Sequence, residues 1–198
     1  MWQLFETFPY LESEMLIIRK MTEDDVSALS EITNNDHVYR YIPPFLYKKS
    51  KGNLLAAIRN MGGRDFEKKK AIIAGIYLQT EPERLVGLVE IFDCKQRISQ
   101  VTIGYRINEK YWRKGIATET VRLLIRYLCD NIGIQVLKAF VMPENVYSQK
   151  ALMKNGFVKD SVGTIGYNWG GCDSAFLNVY TYERNSILDD TEAERRIQ

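Results

Sequence analysis

The 198-residue sequence has few of the residues that build disulfide frameworks and metal sites. It contains three cysteines and one histidine, His37. The cysteines are far apart, odd in number and never arranged as Cys-x-x-Cys, so we expect neither a zinc site nor a disulfide framework, and a reducing compartment is favoured. One histidine is also poor support for a Ser-His-Asp or Cys-His nucleophile. The sequence therefore predicts a protein without a bound metal.

A strong charge of one sign and long apolar runs are missing as well. The formal net charge is only +2 at pH 7, whereas a general nucleic-acid-binding protein usually carries a strong basic excess. The basic runs at 48–51 and 68–70 are most simply solvated loop segments, with attraction of an anionic ligand as the alternative. No stretch of about 18 apolar residues occurs, and residues 1–14 lack the features of a secretory signal. We expect a cytoplasmic protein with no membrane or nucleic-acid partner.

The composition is that of a globular domain. Hydrophobic residues make up 45% of the chain and charged residues 26%, so the chain can bury a sizeable core. Its length suits one domain better than two. We predict a domain over residues 1–184 and a polar tail over residues 185–198.

Hydrophobic patterning predicts an alternation of strands and helices. Segments rich in Ile, Val and Tyr and bounded by turn residues predict strands, at 15–20, 71–79, 85–93, 99–107, 136–142, 157–167 and 174–182. Helical periodicity and capping residues predict helices, from Thr22, at 54–61, at 115–131 and at 145–155. A helix between two successive strands implies a parallel crossover. The predicted fold class is α/β (α+β), with a mixed, mostly antiparallel sheet of about seven strands flanked by about four helices.

The stretch at 103–119 carries the chemistry, because a strand runs there into a short loop that opens a helix. The first backbone N–H groups of a helix have no intrahelical partner, and the helix dipole adds positive charge, so a helix start suits a phosphate group. Gly115 lets a ligand approach the backbone, and Ala117 keeps that approach open. Arg113 and Lys114 add positive charge. The loop has neither the Walker A ending nor a G-x-G-x-x-G pattern.

Residues 112–117, Trp-Arg-Lys-Gly-Ile-Ala, resemble the Gln/Arg-x-x-Gly-x-Gly/Ala acetyl-coenzyme A signature of the GNAT superfamily of N-acetyltransferases. Trp112 departs from the first position of that signature. The departure is shared by a branch that includes the Rim-type ribosomal-protein N-terminal acetyltransferases. The resemblance extends over 15–183, and its further features follow in the family's order: Leu16 to Arg19 with Asp24, Ile103-Gly104-Tyr105, Asn145 with Ser148, Ala151-Leu152, and Asn155-Gly156-Phe157.

The resemblance implies acetyl-CoA as co-substrate and an acetyl transfer to a primary amine. It implies that strands 99–107 and 136–142 splay apart and that the pantetheine arm lies between them. The cofactor-binding residues that it implies fall into three groups: the backbones of Tyr105, Arg106 and Ile107; Arg113, Lys114, Gly115, Ile116, Ala117 and Thr118 around the pyrophosphate; and Asn145 and Ser148 near the pantetheine and its sulfur.

In the family the amine attacks the thioester directly, so the ammonium must lose a proton and the departing thiolate needs a donor. Ser148 is the candidate for stabilising the thiolate, because it matches a serine that some Rim-type enzymes place near the sulfur. The alternative is a simple cap, with Asn145 as N-cap and Ser148 solvated. The position of the family's usual tyrosine acid is occupied by Met153.

The general base is not evident, because the usual carboxylate before Ile-Gly-Tyr is replaced by Thr102. Glu90 lies on the preceding strand among apolar residues, where desolvation would raise its pKa and suit it as a base. In the alternative interpretation Glu90 points outward. A water chain without a dedicated base is an equal alternative.

Aromatic residues in the 36–49 loop and the 157–182 hairpin are candidates for the acceptor pocket, since aromatic rings bind peptides and amines through contact area and cation–π attraction. Tyr41, Phe45 and Tyr167 are the predicted lining residues, with Tyr39, Tyr47 and Trp169 as further candidates. In the alternative, these rings close the core.

The predicted function is an N-acetyltransferase, with protein N-termini as the nearest acceptor comparison. The lack of a dense acidic cluster mildly favours a peptide or a modest metabolite. A small amine, such as a polyamine, an amino acid or an antibiotic, is the alternative acceptor. A non-catalytic acyl-CoA-binding sensor is the rival of another class, and a homodimer is left open.

Overall fold

The computed structural model describes residues 3–44 and 53–184. The predicted tail at 185–198 and the predicted lining residues Phe45 and Tyr47 lie outside these ranges.

The described residues form nine strands and six α-helices. The strands are β1 (Leu11–Glu12), β2 (Leu16–Arg19), β3 (Ile72–Leu78), β4 (Glu81–Lys95), β5 (Gln100–Ile107), β6 (Val136–Val141), β7 (Val158–Lys159), β8 (Thr164–Trp169) and β9 (Cys172–Glu183). The helices are α1 (Val26–Thr33), α2 (Asp36–Tyr39), α3 (Leu54–Gly62), α4 (Arg64–Glu67), α5 (Ile116–Ile125) and α6 (Val146–Lys154). The mixed α/β fold is confirmed. The strand predicted at 157–167 is divided into β7 and β8, and the further elements β1, α2 and α4 are two or four residues long, too short to produce a periodic pattern.

The sheet follows the order β1-β2-β3-β4-β5-β6-β9-β7, and β8 pairs with the first half of β9. Strands β3, β4 and β5 form the predicted antiparallel meander. Among the described strands, β5 and β6 form the parallel pair. Strands β8 and β9 form the predicted hairpin, whose turn residues Gly170 and Gly171 have φ of +58° and +79°. Two successive positive φ angles fit a tight hairpin turn whose twist matches the strands.

Two apolar clusters cover the opposite faces of the sheet. The larger one lies between the sheet and helices α5 and α6, and the smaller one lies beneath α1 and α3. Strand β4 contributes to both because its side chains alternate: Val89 and Ile91 enter the larger cluster, whereas Leu88 enters the smaller one. Each fully buried aliphatic side chain contributes about 1.5–3 kcal/mol to folding. Glu90 shares the face of Leu88, which also carries α1 and α2.

The predicted helix at 115–131 is α-helical through Ile125 and continues as a π-helical turn over Arg126–Asn131. The N–H of Ile132 donates to the carbonyl of Tyr127 at 3.0 Å, five residues earlier. Gly133 follows with φ +83°, a left-handed conformation that glycine adopts without strain. The helical segment therefore ends just before Gly133, as the sequence predicted.

A buried carboxylate anchors the start of α1. Asp25 is 3% exposed, and its Oδ2 accepts from the backbone N–H of Thr22 at 2.8 Å and from the hydroxyl of Tyr77 at 2.7 Å. Burial raises the pKa of Tyr77 well above its ordinary value, and the hydrogen bond to Asp25 adds to this shift. The contact ties α1 to the middle of the sheet.

Removal of the Tyr77 hydroxyl is expected to destabilise the domain. In Tyr77→Phe the buried Asp25 carboxylate loses a donor, at a cost of about 1–3 kcal/mol. Urea unfolding measures this cost, with Tyr10→Phe as control because Tyr10 is 61% exposed. Equal stability of the two variants would show that the hydrogen bond contributes nothing.

Candidate active site

The parallel strands β5 and β6 separate after a short stretch of pairing. Their register covers Gln100–Val136, Val101–Leu137 and Thr102–Lys138 and stops there. Beyond that point β5 continues to pair with β4, while β6 continues to pair with β9. The predicted splay is confirmed, and it leaves the facing backbone edges of the two strands without a strand partner among the described residues. Such N–H and C=O groups need hydrogen bonds from a ligand or from water.

The loop after β5 leads into an exposed helix start. Residues 112–115 are exposed, and Gly115 is the N-cap of α5 with φ +80°. A Cβ added at Gly115 would meet as its nearest atom Met15 Cε, at 4.0 Å, so the approach to this turn is open. A glycine N-cap has no side chain to bind the first helical amides. The turn can therefore bind an anionic group, as its sequence predicted.

Trp112 fixes this loop to the end of β5. Its indole N–H donates to the carbonyl of Ile107 at 2.8 Å. In the sequence, Trp112 stands out only as a departure from the acetyl-coenzyme A signature. A tryptophan N–H usually finds a partner when it is partly buried, but the acceptor could not be read from the sequence.

Two basic residues at the end of the loop, Arg113 and Lys114, lie against tyrosines. The Arg113 guanidinium donates to the Tyr147 hydroxyl at 3.3 Å and lies 5.4 Å from the ring centroid. The Lys114 ammonium lies 4.9 Å from the centroid of Tyr111. Because Tyr147 is in the first turn of α6, the starts of α5 and α6 are neighbours. Tyr147 was not predicted as a partner of the loop.

Asn145 and Ser148 organise the start of α6. Asn145 is the N-cap, and its Oδ1 accepts from the backbone N–H of Ser148 at 3.2 Å. The predicted cap is therefore present. The Ser148 hydroxyl is also hydrogen-bonded, since its Oγ lies 2.8 Å from the hydroxyl oxygen of Tyr105 on β5. Burial raises the pKa of Tyr105 to about 12, although the bond to Ser148 opposes the shift.

Glu90 is partly buried and ion-paired. Its Oε1 accepts from the guanidinium of Arg106 at 2.6 Å, and the two side chains are 18% and 6% exposed. Arg106 also donates to the Tyr39 hydroxyl at 3.2 Å. A Cβ added at Gly104 would lie 3.8 Å from Glu90 Oε2, so the carboxylate borders β5 where the strands part. Glu90 therefore points inward. It is paired there with the Arg106 guanidinium, a partner that the sequence did not indicate.

Residues 36–44, the described part of the predicted 36–49 loop, include α2 and contact the hairpin. The N–H of Gly170 donates to the carbonyl of Ile42 at 3.3 Å. A Cβ added at Gly170 would lie 2.6 Å from the carbonyl oxygen of Arg40, so this contact requires glycine. Tyr41 is half-buried, whereas Tyr167 is 72% exposed. The structure brings the two predicted regions together, but Tyr167 is a surface side chain rather than part of a closed pocket.

Two further observations concern metal binding and membrane-spanning helices. Within residues 3–44 and 53–184, no three His, Cys, Asp or Glu side chains are placed to hold a metal ion. None of the helices in the same ranges is long and apolar enough to span a bilayer.

Comparison with known proteins identifies the class. Residues 15–158 match the family model described as acetyltransferase (GNAT) domain. The chain therefore belongs to the GNAT acetyltransferase family, and it is an acetyl-CoA-dependent N-acetyltransferase. It is 29% identical over 155 residues to the uncharacterized N-acetyltransferase YoaA of Bacillus subtilis, covering 78% of this chain and 86% of YoaA.

Solved structures share the fold. RimJ of Mycobacterium smegmatis in complex with CoA-disulfide has a TM-score of 0.76 and 17% identity, over 90% of this chain and 88% of RimJ. The microcin C7 self-immunity acetyltransferase MccE, in complex with acetyl-CoA and AMP, has a TM-score of 0.73 and 18% identity, over 87% of this chain and 94% of MccE.

Gly115→Trp is expected to lower the affinity for coenzyme A by about 100-fold, because bulk at the helix start blocks several charge-assisted hydrogen bonds to phosphate. Calorimetric titration measures the affinity. Gly133→Trp is the matched control: Gly133 has φ +83°, and a Cβ there would meet Arg184 Nη1 at 3.9 Å, so the backbone strain is similar at the far end of the helical segment. Equal losses in both variants would assign the effect to strain.

Proposed function

We propose that this enzyme transfers the acetyl group of acetyl-CoA to a primary amine by direct attack, with the N-terminal amine of a protein as the acceptor. The observation that carries the proposal is the open end of the gap between β5 and β6. Each parallel strand is followed there by the start of a helix, and the bond from Arg113 to Tyr147 links the two starts. A thioester in the gap would lie with its phosphates at one helix start and its sulfur near the other.

The proposed cofactor contacts are those that the family resemblance implies, and this geometry supports them. The pyrophosphate binds the amides of Ile116, Ala117 and Thr118, with Arg113, Lys114 and Gly115 around it. The pantetheine arm binds the backbone of β5 at Tyr105 and the region of Asn145, whereas the Arg106 backbone, opposite Leu88, faces β4. Ile107 contributes less to this contact, because its carbonyl already accepts from Trp112. The bound CoA and acetyl-CoA in the RimJ and MccE structures support a coenzyme A ligand for this fold.

Ser148 is proposed to stabilise the departing thiolate. Its position in the first turn of α6, beside the parted strands, suits a hydrogen bond from the hydroxyl to the sulfur. The thiolate is a full negative charge, and hydrogen bonds to charged groups are the stronger ones.

Glu90 is the proposed route for the proton that the amine loses. Its Oε2 borders β5 at Gly104, on the face that also carries α1 and α2. Because Oε1 is bound to Arg106, Glu90 acts through its second oxygen, directly or through a water molecule. A water path without Glu90 remains the alternative for this step.

The acceptor class rests on charge and shape. Glu90 is paired with Arg106, so this carboxylate adds little net negative charge to attract a polyamine or an aminoglycoside. Half-buried Tyr41 and the exposed ring of Tyr167 offer aromatic contact to an extended peptide. RimJ belongs to the Rim-type enzymes that the sequence resembles, and its fold covers most of this chain.

A panel of amines tests the acceptor. Free thiol release is measured with peptides that begin with different residues, with polyamines, amino acids and aminoglycosides, and the product is identified by mass. We expect the highest kcat/KM with a peptide and none with the same peptide acetylated at its N-terminus. A preference for a small amine would show that the acceptor is a small molecule rather than a protein N-terminus. Tight acetyl-CoA binding without turnover of any amine would favour a sensor.

Ser148→Ala is expected to lower kcat by about 10- to 100-fold, the range for a lost hydrogen bond to a charged group. The affinity for acetyl-CoA should stay within about twofold, because the bond forms only as the thiolate develops. Steady-state kinetics and calorimetry measure the two quantities. Ser161→Ala, an exposed serine outside the site, is the control. A wild-type kcat in Ser148→Ala would show that Ser148 has no catalytic role and serves only in the capped start of α6.

A further inference from the structure

The side chain of Tyr105 connects the two sides of the gap. Tyr105 lies on β5 beyond the last pair with β6, and its hydroxyl reaches the first turn of α6. The hydroxyl oxygen lies 2.8 Å from Ser148 Oγ and 3.4 Å from the backbone carbonyl oxygen of Ser148. The family resemblance implies a role only for the backbone of Tyr105, so it does not account for the hydroxyl group.

Either hydroxyl can donate across the 2.8 Å contact between Tyr105 and Ser148 Oγ. A carbonyl oxygen can only accept, so the hydrogen that serves it belongs to Tyr105. The same hydrogen can also serve Ser148 Oγ, which lies closer, since shared bonds of this kind occur at helix ends. With Tyr105 as the donor, Ser148 is the acceptor of this bond. In that arrangement the Ser148 hydrogen is not used in this bond and can be donated elsewhere.

We propose that Tyr105 is a positioning residue for the acetyl transfer: it donates to Ser148 Oγ and so directs the Ser148 hydrogen toward the coenzyme A sulfur. This inference rests on the role proposed above for Ser148. The Tyr105 bond also polarises the Ser148 hydroxyl, because hydrogen bonds in a chain strengthen one another. Tyr105 in this way supports from β5 the function that the family's usual tyrosine would perform from α6, where Met153 is 51% exposed.

The electron and proton balance is simple. The C–S bond of the tetrahedral intermediate breaks, and its electron pair remains on sulfur. Ser148 and Tyr105 keep their hydrogens and stabilise that charge by hydrogen bonding. The acceptor ammonium loses one proton before the neutral amine attacks and a second proton after the attack; one of the two neutralises the thiolate and the other is released to solvent. No further reactant is needed.

Tyr105→Phe tests the inference, because it removes the hydroxyl and keeps the ring that packs against the core. We expect kcat to fall about 3- to 10-fold, the range for one neutral hydrogen bond, with unchanged affinity for acetyl-CoA. In the Ser148→Ala background the same substitution should have no further effect on kcat, since Tyr105 acts through Ser148. Retained acetyl-CoA binding also shows that each variant is folded.

Tyr180→Phe is the matched control. Tyr180 is buried, and its hydroxyl donates to Gln149 Oε1 at 2.9 Å, one residue after Ser148 in the same helix. A purely structural tyrosine–α6 contact predicts lower thermal stability and unchanged kcat for both tyrosine variants. We expect this result for Tyr180→Phe only.

Three outcomes would overturn the inference. Wild-type kcat in Tyr105→Phe would show that the hydroxyl is not used. An equal loss of kcat with and without Ser148 would show that Tyr105 acts independently of it. A loss of acetyl-CoA affinity would show that the Tyr105 hydroxyl itself binds the cofactor. If Ser148→Ala alone has wild-type kcat, the proposed role of Ser148 fails first, and that single variant separates the two failures.

Discussion

The site depends on the limited pairing between β5 and β6, which ends at Thr102 and Lys138. A parallel pair that continued would satisfy its own backbone groups and leave no room for a ligand. Here each strand is held by its antiparallel neighbour, β4 or β9, so the two can part while the sheet stays intact. The gap therefore lies inside a rigid sheet rather than at its edge, and its walls are strands with fixed backbone positions.

Two helix starts at the open end of this gap give the site most of its chemistry. The start of α5 offers backbone amides, and Gly115 keeps them accessible. The start of α6 places Ser148 beside Tyr105. A family that binds one cofactor through the main chain can vary its side chains around it, and Thr102 and Met153 stand at two such varied positions.

The fold and the cofactor loop could be predicted because their signals are local. The strands, the long helix and the Gly170–Gly171 turn follow from periodicity and turn residues, and the loop follows from a contiguous motif. The side-chain network could not be predicted, because Tyr105 and Ser148 are 43 residues apart and meet only after the sheet forms. The Glu90–Arg106 pair depends on the register of β4 on β5, which a sequence pattern does not give. Strands of two residues, such as β1 and β7, carry no period at all.

The indole bond from Trp112 to the Ile107 carbonyl has a consequence for ligand entry. It holds the loop between β5 and α5 in one position although residues 112–115 are exposed, and Arg113 has a positive φ of +62° within it. A loop already held in this way loses little freedom when coenzyme A arrives. The tryptophan that departs from the family signature thus preorganises the loop, and the entropy of ordering it is spent during folding rather than at each turnover.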